Sequence, residues 1–156
     1  MQVTILGNSS GGPFHGRNYT AQVLQVENHY FLIDCGEGTQ QQLFHNKVPY
    51  DRFRQIFISH LHGDHVFGLI GLLTSYCLKK RTEKMQLFAP PGLEELVAHT
   101  ARLCGIVFPY PMEFVEVDAS VSRMVFENKH TEVWTIPLNH RSTPCSGWLF
   151  REKAKP

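Results

Sequence analysis

The stretch Ser59-His60-Leu61-His62-Gly63-Asp64-His65 contains four side chains that can bind a metal, within six consecutive positions. No other part of the sequence is as rich in reactive side chains. Residues 55–58, just before this stretch, form a short apolar run of the kind that buried strands have. Residues 66–77, just after it, are mostly apolar and have the length of a buried helix. The histidine-rich stretch is therefore predicted to form a turn between a strand and a helix.

The four metal-competent side chains of this turn can face two neighbouring points. In an extended backbone, side chains two positions apart point the same way, so His60 and His62 can direct ring nitrogens at one ion. Asp64 and His65 fall where the helix begins, and the turn can aim them at a second ion. Imidazole and carboxylate ligands suit zinc, although iron and manganese accept the same ligand types. The competing interpretation makes Asp64 a helix N-cap and the histidines polar loop residues, but this spacing favours the metal.

Several segments carry a resemblance to a known family. The run from His60 to His65 resembles the HxHxDH signature of the metallo-β-lactamase superfamily. Five further segments resemble the ribonuclease Z family of tRNA 3′-processing endonucleases: Ile5-Leu6-Gly7, Gly12-Pro13, Arg17-Asn18, residues 31–39 (FLIDCGEGT) and residues 68–73 (GLIGLL). The resemblance covers nearly the whole chain.

The resemblance implies an α/β fold, namely the four-layered αββα sandwich of the metallo-β-lactamase superfamily, which is built from two related halves. Residues 1–156 resemble only its N-terminal part. The family's later ligands, a bridging aspartate and a final histidine, have no counterpart in the sequence. We therefore expect the chain to be the first half of one domain in a longer protein.

The activity that the resemblance implies is removal of the 3′ trailer from precursor tRNA by a zinc-dependent endoribonuclease. His60, His62 and His140 would bind one zinc ion, while Asp64 and His65 would contribute to a second. Asp64 would also be the catalytic proton acceptor. The expected partners are precursor tRNA and a second subunit in a homodimer.

His140 is identified by its register after a predicted strand, at the place of the family's next metal-binding histidine. His130 is the competitor, but it begins that strand and lacks the register. Asp34 ends an apolar strand, where a carboxylate is costly unless it is hydrogen-bonded. It is predicted to orient a metal-bound histidine, or alternatively to cap the helix that follows.

A glycine-rich loop near the N-terminus is the predicted substrate-binding element. The family has a PxKxRN loop that recognises the tRNA 3′ end, and this sequence reads Pro13-Phe14-His15-Gly16-Arg17-Asn18. His15 replaces the lysine, whereas Arg17 and Asn18 match and are the predicted substrate-binding residues.

The composition is that of an ordinary soluble globular chain, with 42% hydrophobic and 19% charged residues. A net charge of +1 gives no argument for a nucleic-acid partner, so phosphate binding would depend on local charge. The four scattered cysteines are predicted to be reduced thiols that fill the core. The sequence has no leader pattern, and no apolar run approaches the roughly 20 residues that span a bilayer, which predicts a cytoplasmic protein without a membrane partner.

Periodicity predicts the remaining elements. Strands are expected at residues 3–6, 20–26, 30–33 and 85–89, and helices near 37–44 and at 93–104. A period of two predicts further strands at 114–117, 124–127 and 131–138. The basic residues in 78–84 are interpreted as a solvated helix end in preference to a phosphate contact, and residues 151–156 as an exposed segment.

Three other functions remain open at this point. A different phosphodiesterase of the same superfamily, acting on a small phosphodiester, would share all of these ligands. A lactam or thioester hydrolase fits the DCGEGT segment less well. A non-catalytic metal-binding half is the third, although structural zinc sites are usually closed sets of four ligands, often with cysteine.

Overall fold

The computed structural model describes residues 1–12 and 14–154, so Pro13 of the predicted substrate loop and the last two residues lie outside the described residues. The strands form a six-stranded sheet in the order β1-β2-β3-β4-β5-β6 and a three-stranded sheet in the order β7-β8-β9. Their bounds are Gln2–Gly7 (β1), Ala21–Val26 (β2), His29–Ile33 (β3), Gln55–Phe57 (β4), Met85–Ala89 (β5), Met112–Glu116 (β6), Met124–Glu127 (β7), Thr131–Leu138 (β8) and Cys145–Glu152 (β9).

The helices lie between these strands in sequence. Their bounds are Thr39–His45 (α1), Gly63–Val66 (α2), Leu69–Leu78 (α3) and Leu93–Cys104 (α4), with a 3-10 turn at Tyr50–Arg52. Among the described residues, no helix is long and apolar enough to cross a membrane. The alternation of strands and helices gives the α/β class that the sequence predicts.

The six-stranded sheet is antiparallel at one end and parallel at the other. β1, β2 and β3 pair antiparallel, and β3 to β6 pair parallel, with Leu32, Ile56, Leu87 and Phe114 in register across the sheet. Strands in the parallel part are covered on both faces, which explains why β4 and β5 are short and mostly apolar, with one glutamine each. The carboxyl end of β4 therefore opens at the same edge of the sheet as that of β3, where the functional turn begins.

Each face of this sheet has its own hydrophobic core. On one face, residues such as Leu32 and Ile56 pack against helical residues, including Leu72 of α3 and Val97 of α4. The other face packs against the second sheet, in a core formed by the buried residues Leu24, Val26, Phe31, Phe57, Phe88, Val117 and Val133, with Phe126, Trp148 and Phe150 packed against them. The described residues are thus layered as helices, sheet and second sheet.

The prediction of one helix at 66–77 is wrong in one respect. The helix is interrupted at Phe67 and Gly68, which lie between the end of α2 and the start of α3. The Gly68 N–H donates to the Cys35 carbonyl at 2.9 Å. An added Cβ on Gly68 would lie 2.1 Å from the Gly36 carbonyl oxygen. The break follows from this direct contact between two backbone segments, which an uninterrupted helix could not make.

Three further predictions need correction in part. Arg151, Glu152 and Ala154 are exposed, as predicted for the segment 151–156, but Arg151 and Glu152 belong to β9, which pairs with β8. Arg81 is not a solvated residue of the basic run: it is only 9% exposed, and its guanidinium lies 4.9 Å from the ring centroid of Tyr76. The core-filling role expected of the cysteines fits the buried Cys35 and Cys145 but not Cys104, which is exposed.

Candidate metal centre

The histidine-rich turn joins β4 to α2, as predicted from the sequence. Beyond the last residue of β4, the Ile58 N–H donates to the Phe88 carbonyl of the neighbouring strand at 2.8 Å. The far side of the turn is held by the Cys35 N–H, which donates to the His65 carbonyl at 2.8 Å. Gly36 allows this close approach, since a Cβ there would lie 2.3 Å from the Asp64 carbonyl oxygen. The turn is therefore fixed from both sides by backbone contacts.

Three imidazole rings converge at this turn. Single ring nitrogens of His60, His62 and His140 all lie within 4.8 Å of one another. His62 Nδ1 is 3.1 Å from His60 Nε2 and 3.2 Å from His140 Nε2. Tetrahedral coordination with metal–nitrogen bonds of about 2.0–2.1 Å separates neighbouring ligand atoms by about 3.3 Å. The spacing of the three nitrogens thus fits a common metal ion.

Asp64 and His65 form a second pair beside this triad. His65 Nε2 lies 3.6 Å from Asp64 Oδ2, and the His65 ring centroid is 4.1 Å from that of His60. The Gly11 N–H donates to Asp64 Oδ2 at 2.9 Å, which brings the N-terminal glycine-rich loop to the centre. A carboxylate oxygen and an imidazole nitrogen next to a three-histidine set are donors that a second ion could use.

Asp34 has the predicted contact with a histidine of the cluster. Its Oδ2 accepts a hydrogen bond from His65 Nδ1 at 2.8 Å, which turns His65 Nε2 toward Asp64. The alternative role as a helix cap does not hold, because α1 begins at Thr39 with Gly38 at its N-cap. Asp34 adopts a left-handed φ of 57°, an uncommon backbone conformation outside glycine.

The pKa values of three groups in the centre are shifted in different directions. Burial, together with the nearby His65, His62 and His140, lowers the pKa of His60 to about 4, so this ring is neutral at pH 7. Burial also opposes the charged form of His65, but the hydrogen bond and the charge of Asp34 raise its pKa above the ordinary value. Burial raises the pKa of Asp64, but the hydrogen bond from the Gly11 N–H and the nearby His65 lower it by more, so the pKa lies below its ordinary value. The carboxylate is therefore ionised near neutral pH.

The second sheet delivers His140. This residue lies in the loop between β8 and β9, and the Thr143 N–H closes the loop by donating to the His140 carbonyl at 3.1 Å. The Ser146 N–H at the start of β9 donates to the Ser59 carbonyl at 2.9 Å, which ties this loop to the histidine turn. The competitor His130 lies at the opposite end of β8, where its Nδ1 is 3.3 Å from Glu27 Oε2.

The comparisons with known proteins agree with this geometry. Residues 1–143 match a family model described as "Anti-Pycsar protein Apyc1". The chain belongs to this family. It is also 42% identical over its whole length to a ribonuclease Z from Bacteroides fragilis, of which it covers 51%. The chain thus spans about half the length of the curated relatives that it matches, and the resemblance predicted from its motifs is confirmed.

Solved structures place this Apyc1 family member in the predicted fold. Human tRNase Z, short form, superposes with a TM-score of 0.82 at 30% identity, over 97% of this chain and 65% of that protein. A metallo-β-lactamase fold protein from Bacillus subtilis superposes with a TM-score of 0.72 at 17% identity, over 96% of this chain and 56% of that protein. The chain therefore has the metallo-β-lactamase fold and spans a little more than half the length of these two proteins.

The predicted substrate residues of this family member lie in the loop that reaches the centre. Ser10 and Gly11 line a cavity of about 480 Å³ together with the histidine cluster. Ser10 also lines a neighbouring cavity of about 370 Å³, where Arg17 is found. Asn18 acts through its backbone, because its carbonyl accepts the N–H groups of Asn8 and Ser9. Arg17 thus lines a cavity that shares Ser10 with the cavity of the centre, whereas the Asn18 contacts in the structure hold the loop together.

Sequence reasoning assigns no role to three residues that the structure brings to the centre. Gly11 binds Asp64 through its backbone N–H, the Thr143 hydroxyl lies 3.4 Å from His62 Nε2, and the Ser59 hydroxyl lies 3.0 Å from His60 Nδ1. Gly11 belongs to the glycine-rich loop that is predicted to bind substrate, but its contact with Asp64 joins distant parts of the chain, and no local signal marks Thr143. Ser59 could have been noticed, since it directly precedes His60.

Proposed function

We propose that this chain is the N-terminal half of a zinc-dependent endoribonuclease that removes the 3′ trailer from precursor tRNA. The observation that carries the proposal is the convergence of His60, His62 and His140 beside Asp64 and His65, in a chain 42% identical over its whole length to a protein named ribonuclease Z. The structural similarity to human tRNase Z supports the same substrate.

In this proposal, His60, His62 and His140 hold one zinc ion, and Asp64 and His65 contribute to a second. Such ions supply Lewis-acid stabilisation of phosphoryl charge and lower the pKa of water. Asp64 would accept the proton of the attacking water at a carboxylate oxygen, since its lowered pKa keeps the group ionised at neutral pH. Asp34 would orient His65 through the Nδ1 hydrogen bond.

The remaining parts of the proposal concern the substrate and the assembly. Arg17 is exposed in the neighbouring cavity and would contact an RNA phosphate, for which a guanidinium is well suited. Asn18 would keep the loop in place for that contact. We also place the protein in the cytoplasm, as a homodimer. Size-exclusion chromatography with light scattering tests the dimer, and a monomer at micromolar concentration would contradict it.

The function is tested with the native gene product that contains this chain. We expect it to cleave precursor tRNA at the 3′ trailer, to lose activity in a chelator and to regain it with zinc. Asp64→Ala should lower cleavage by at least about 100-fold, in line with loss of a general base, while the circular dichroism spectrum stays unchanged. If Asp64→Ala unfolded the protein instead, the site would be structural.

A second candidate is a phosphodiesterase that acts on a small phosphodiester. It is tested alongside because the family model matching residues 1–143 has a different description from the ribonuclease Z relatives. Both activities would use the same ligands, so the substrate decides between them. Hydrolysis of small cyclic or aryl phosphodiesters, with intact precursor tRNA after long incubation, would reject the tRNA proposal in favour of the second.

A further inference from the structure

Ser59 is the one residue of the histidine-rich turn whose chemistry the proposed function does not use. Its backbone is fixed on both sides: the N–H donates to Asp34 Oδ1 at 2.7 Å, and the carbonyl accepts from the Ser146 N–H at 2.9 Å. The side chain is thereby held between the end of the first sheet's strands and the candidate metal centre.

The Ser59 hydroxyl has three polar neighbours. Its oxygen lies 3.0 Å from Asp34 Oδ2, 3.0 Å from His60 Nδ1 and 3.3 Å from His65 Nδ1. An ionised carboxylate can only accept, so the single hydroxyl proton is donated to Asp34. The hydroxyl oxygen is then left as an acceptor, which requires a ring N–H opposite it. His60 Nδ1 is the nearer ring nitrogen and supplies this proton.

This assignment fixes the tautomer of His60. With the proton on Nδ1, the lone pair is on Nε2, the atom that lies 3.1 Å from His62 Nδ1 in the triad. His65 is oriented in the same sense, since its Nδ1–H donates to Asp34 Oδ2 at 2.8 Å and leaves Nε2 free to face Asp64. One carboxylate therefore sets both rings, directly for His65 and through one hydroxyl for His60.

We propose that Ser59 is a positioning residue of the metal centre: its hydroxyl relays the orienting effect of Asp34 to His60, so that Asp34 and Ser59 together present the Nε2 atoms of His60 and His65 for coordination. The inference rests on the proposed metal-dependent function in taking these two histidines as ligands. Partners of this kind typically change metal affinity by 10–100-fold.

Cys145 is the other group that could serve His60. Its Sγ lies 3.8 Å from His60 Nδ1, but a thiol is a weak acceptor compared with a hydroxyl. Ser59 is therefore the effective partner.

The test measures zinc affinity by chelator competition in the native gene product. Ser59→Ala should weaken the ion held by His60 by about 10–100-fold, whereas Ser59→Thr, which keeps the hydroxyl, should stay close to the wild type. Ser75→Ala is the matched control, because that hydroxyl donates to the Gly71 carbonyl within α3. Cys145→Ala should change the affinity much less than Ser59→Ala. Equal losses in Ser59→Ala and Ser59→Thr would show a packing effect and overturn the proposal.

A spectroscopic readout tests the tautomer itself. In the zinc-loaded protein, long-range ¹H–¹⁵N spectra should show a protected Nδ1–H on His60 that becomes exchange-broadened in Ser59→Ala while the backbone spectrum is retained. An unprotonated Nδ1 in the wild type would refute the relay. Neither measurement needs RNA cleavage, so a protein that binds zinc in this way but leaves tRNA intact would reject the proposed function and keep this inference.

Discussion

The Gly36 carbonyl oxygen lies 2.1 Å from the position that a Cβ on Gly68 would occupy. The Gly68 N–H also donates to the carbonyl of Cys35 at 2.9 Å. This contact joins the loop after β3 to the break between α2 and α3. Because the histidine turn ends at His65, three residues before Gly68, the same contact helps to position the candidate metal centre.

Gly68→Ala is expected to destabilise the fold by about 1–3 kcal/mol or more, since backbone atoms would have to move apart. Gly71→Ala is the matched control, because its nearest neighbour would be a glutamine oxygen at 4.0 Å. That change lies inside α3 and should stabilise the helix by roughly 0.5–1 kcal/mol. Urea unfolding measures both, and equal stability of the two variants would show that the contact is not tight.

Elements with strong periodicity could be predicted from the sequence almost to the residue. The helix α4 and the strands β7 and β8 have the predicted bounds, since alternation and helical spacing are local properties of the chain. The break at Gly68 could not be predicted in this way. It depends on a backbone contact with Gly36, a residue that is remote in sequence, and the apolar pattern continues through it.

The candidate site shows the same division between local and distant information. His60, His62, Asp64 and His65 could be grouped from their spacing alone, whereas His140 was identified only from the family register. The position of His140 depends on β9, a strand that the sequence pattern does not predict. The residues Cys145-Ser146-Gly147 at its start have a weak strand signal, and only Trp148 and Phe150 show the inward alternation that packs against the first sheet.

His140→Ala should remove the ion held by the three-histidine set, because two imidazoles alone leave its coordination incomplete. We expect at least one zinc fewer per chain by elemental analysis of the native gene product. His130→Ala is the control, since His130 pairs with Glu27 at the far end of β8. Loss of zinc from the His130 variant, or an unchanged content in the His140 variant, would contradict the assignment.

Arg81→Ala should destabilise the fold strongly although the residue belongs to a basic run. The guanidinium donates to the carbonyls of Glu83 at 2.8 Å and Lys84 at 3.3 Å and lies near the rings of Tyr76 and Tyr110. Loss of these contacts should cost on the order of 2–4 kcal/mol in thermal or urea unfolding.

Lys79→Ala provides the comparison for Arg81. Lys79 is exposed, and its ammonium lies 5.6 Å from the Tyr50 ring centroid, so the change should stay within about 1 kcal/mol. If both variants were equally stable and Arg81→Ala weakened RNA binding instead, the phosphate-contact interpretation of this run would be restored.

The cysteines should differ sharply in thiol reactivity. Cys104 is exposed at the end of α4, whereas Cys35 is buried, and burial raises the pKa of the Cys35 thiol to about 12. The thiolate is the reactive form, so Cys104 should be alkylated first at pH 8 and Cys35 only after unfolding. Peptide mass spectrometry after timed labelling measures this order. Early modification of Cys35 in the folded protein would show that the loop after β3 opens.

The isolated 156-residue chain should bind zinc weakly and cleave little or no precursor tRNA, in contrast to the native gene product. The second ion would have only Asp64 and His65 from this chain, fewer than the three protein ligands of typical catalytic zinc sites.

The second sheet also leaves apolar side chains in solvent, since Ile136, Leu138 and Leu149 are 40%, 49% and 48% exposed. An uncovered apolar face of this kind favours association of the isolated chain. Calorimetric zinc titration and a cleavage assay compare the two proteins. Tight binding of two ions together with tRNA cleavage by the isolated chain would show that the second half is not needed to complete the centre.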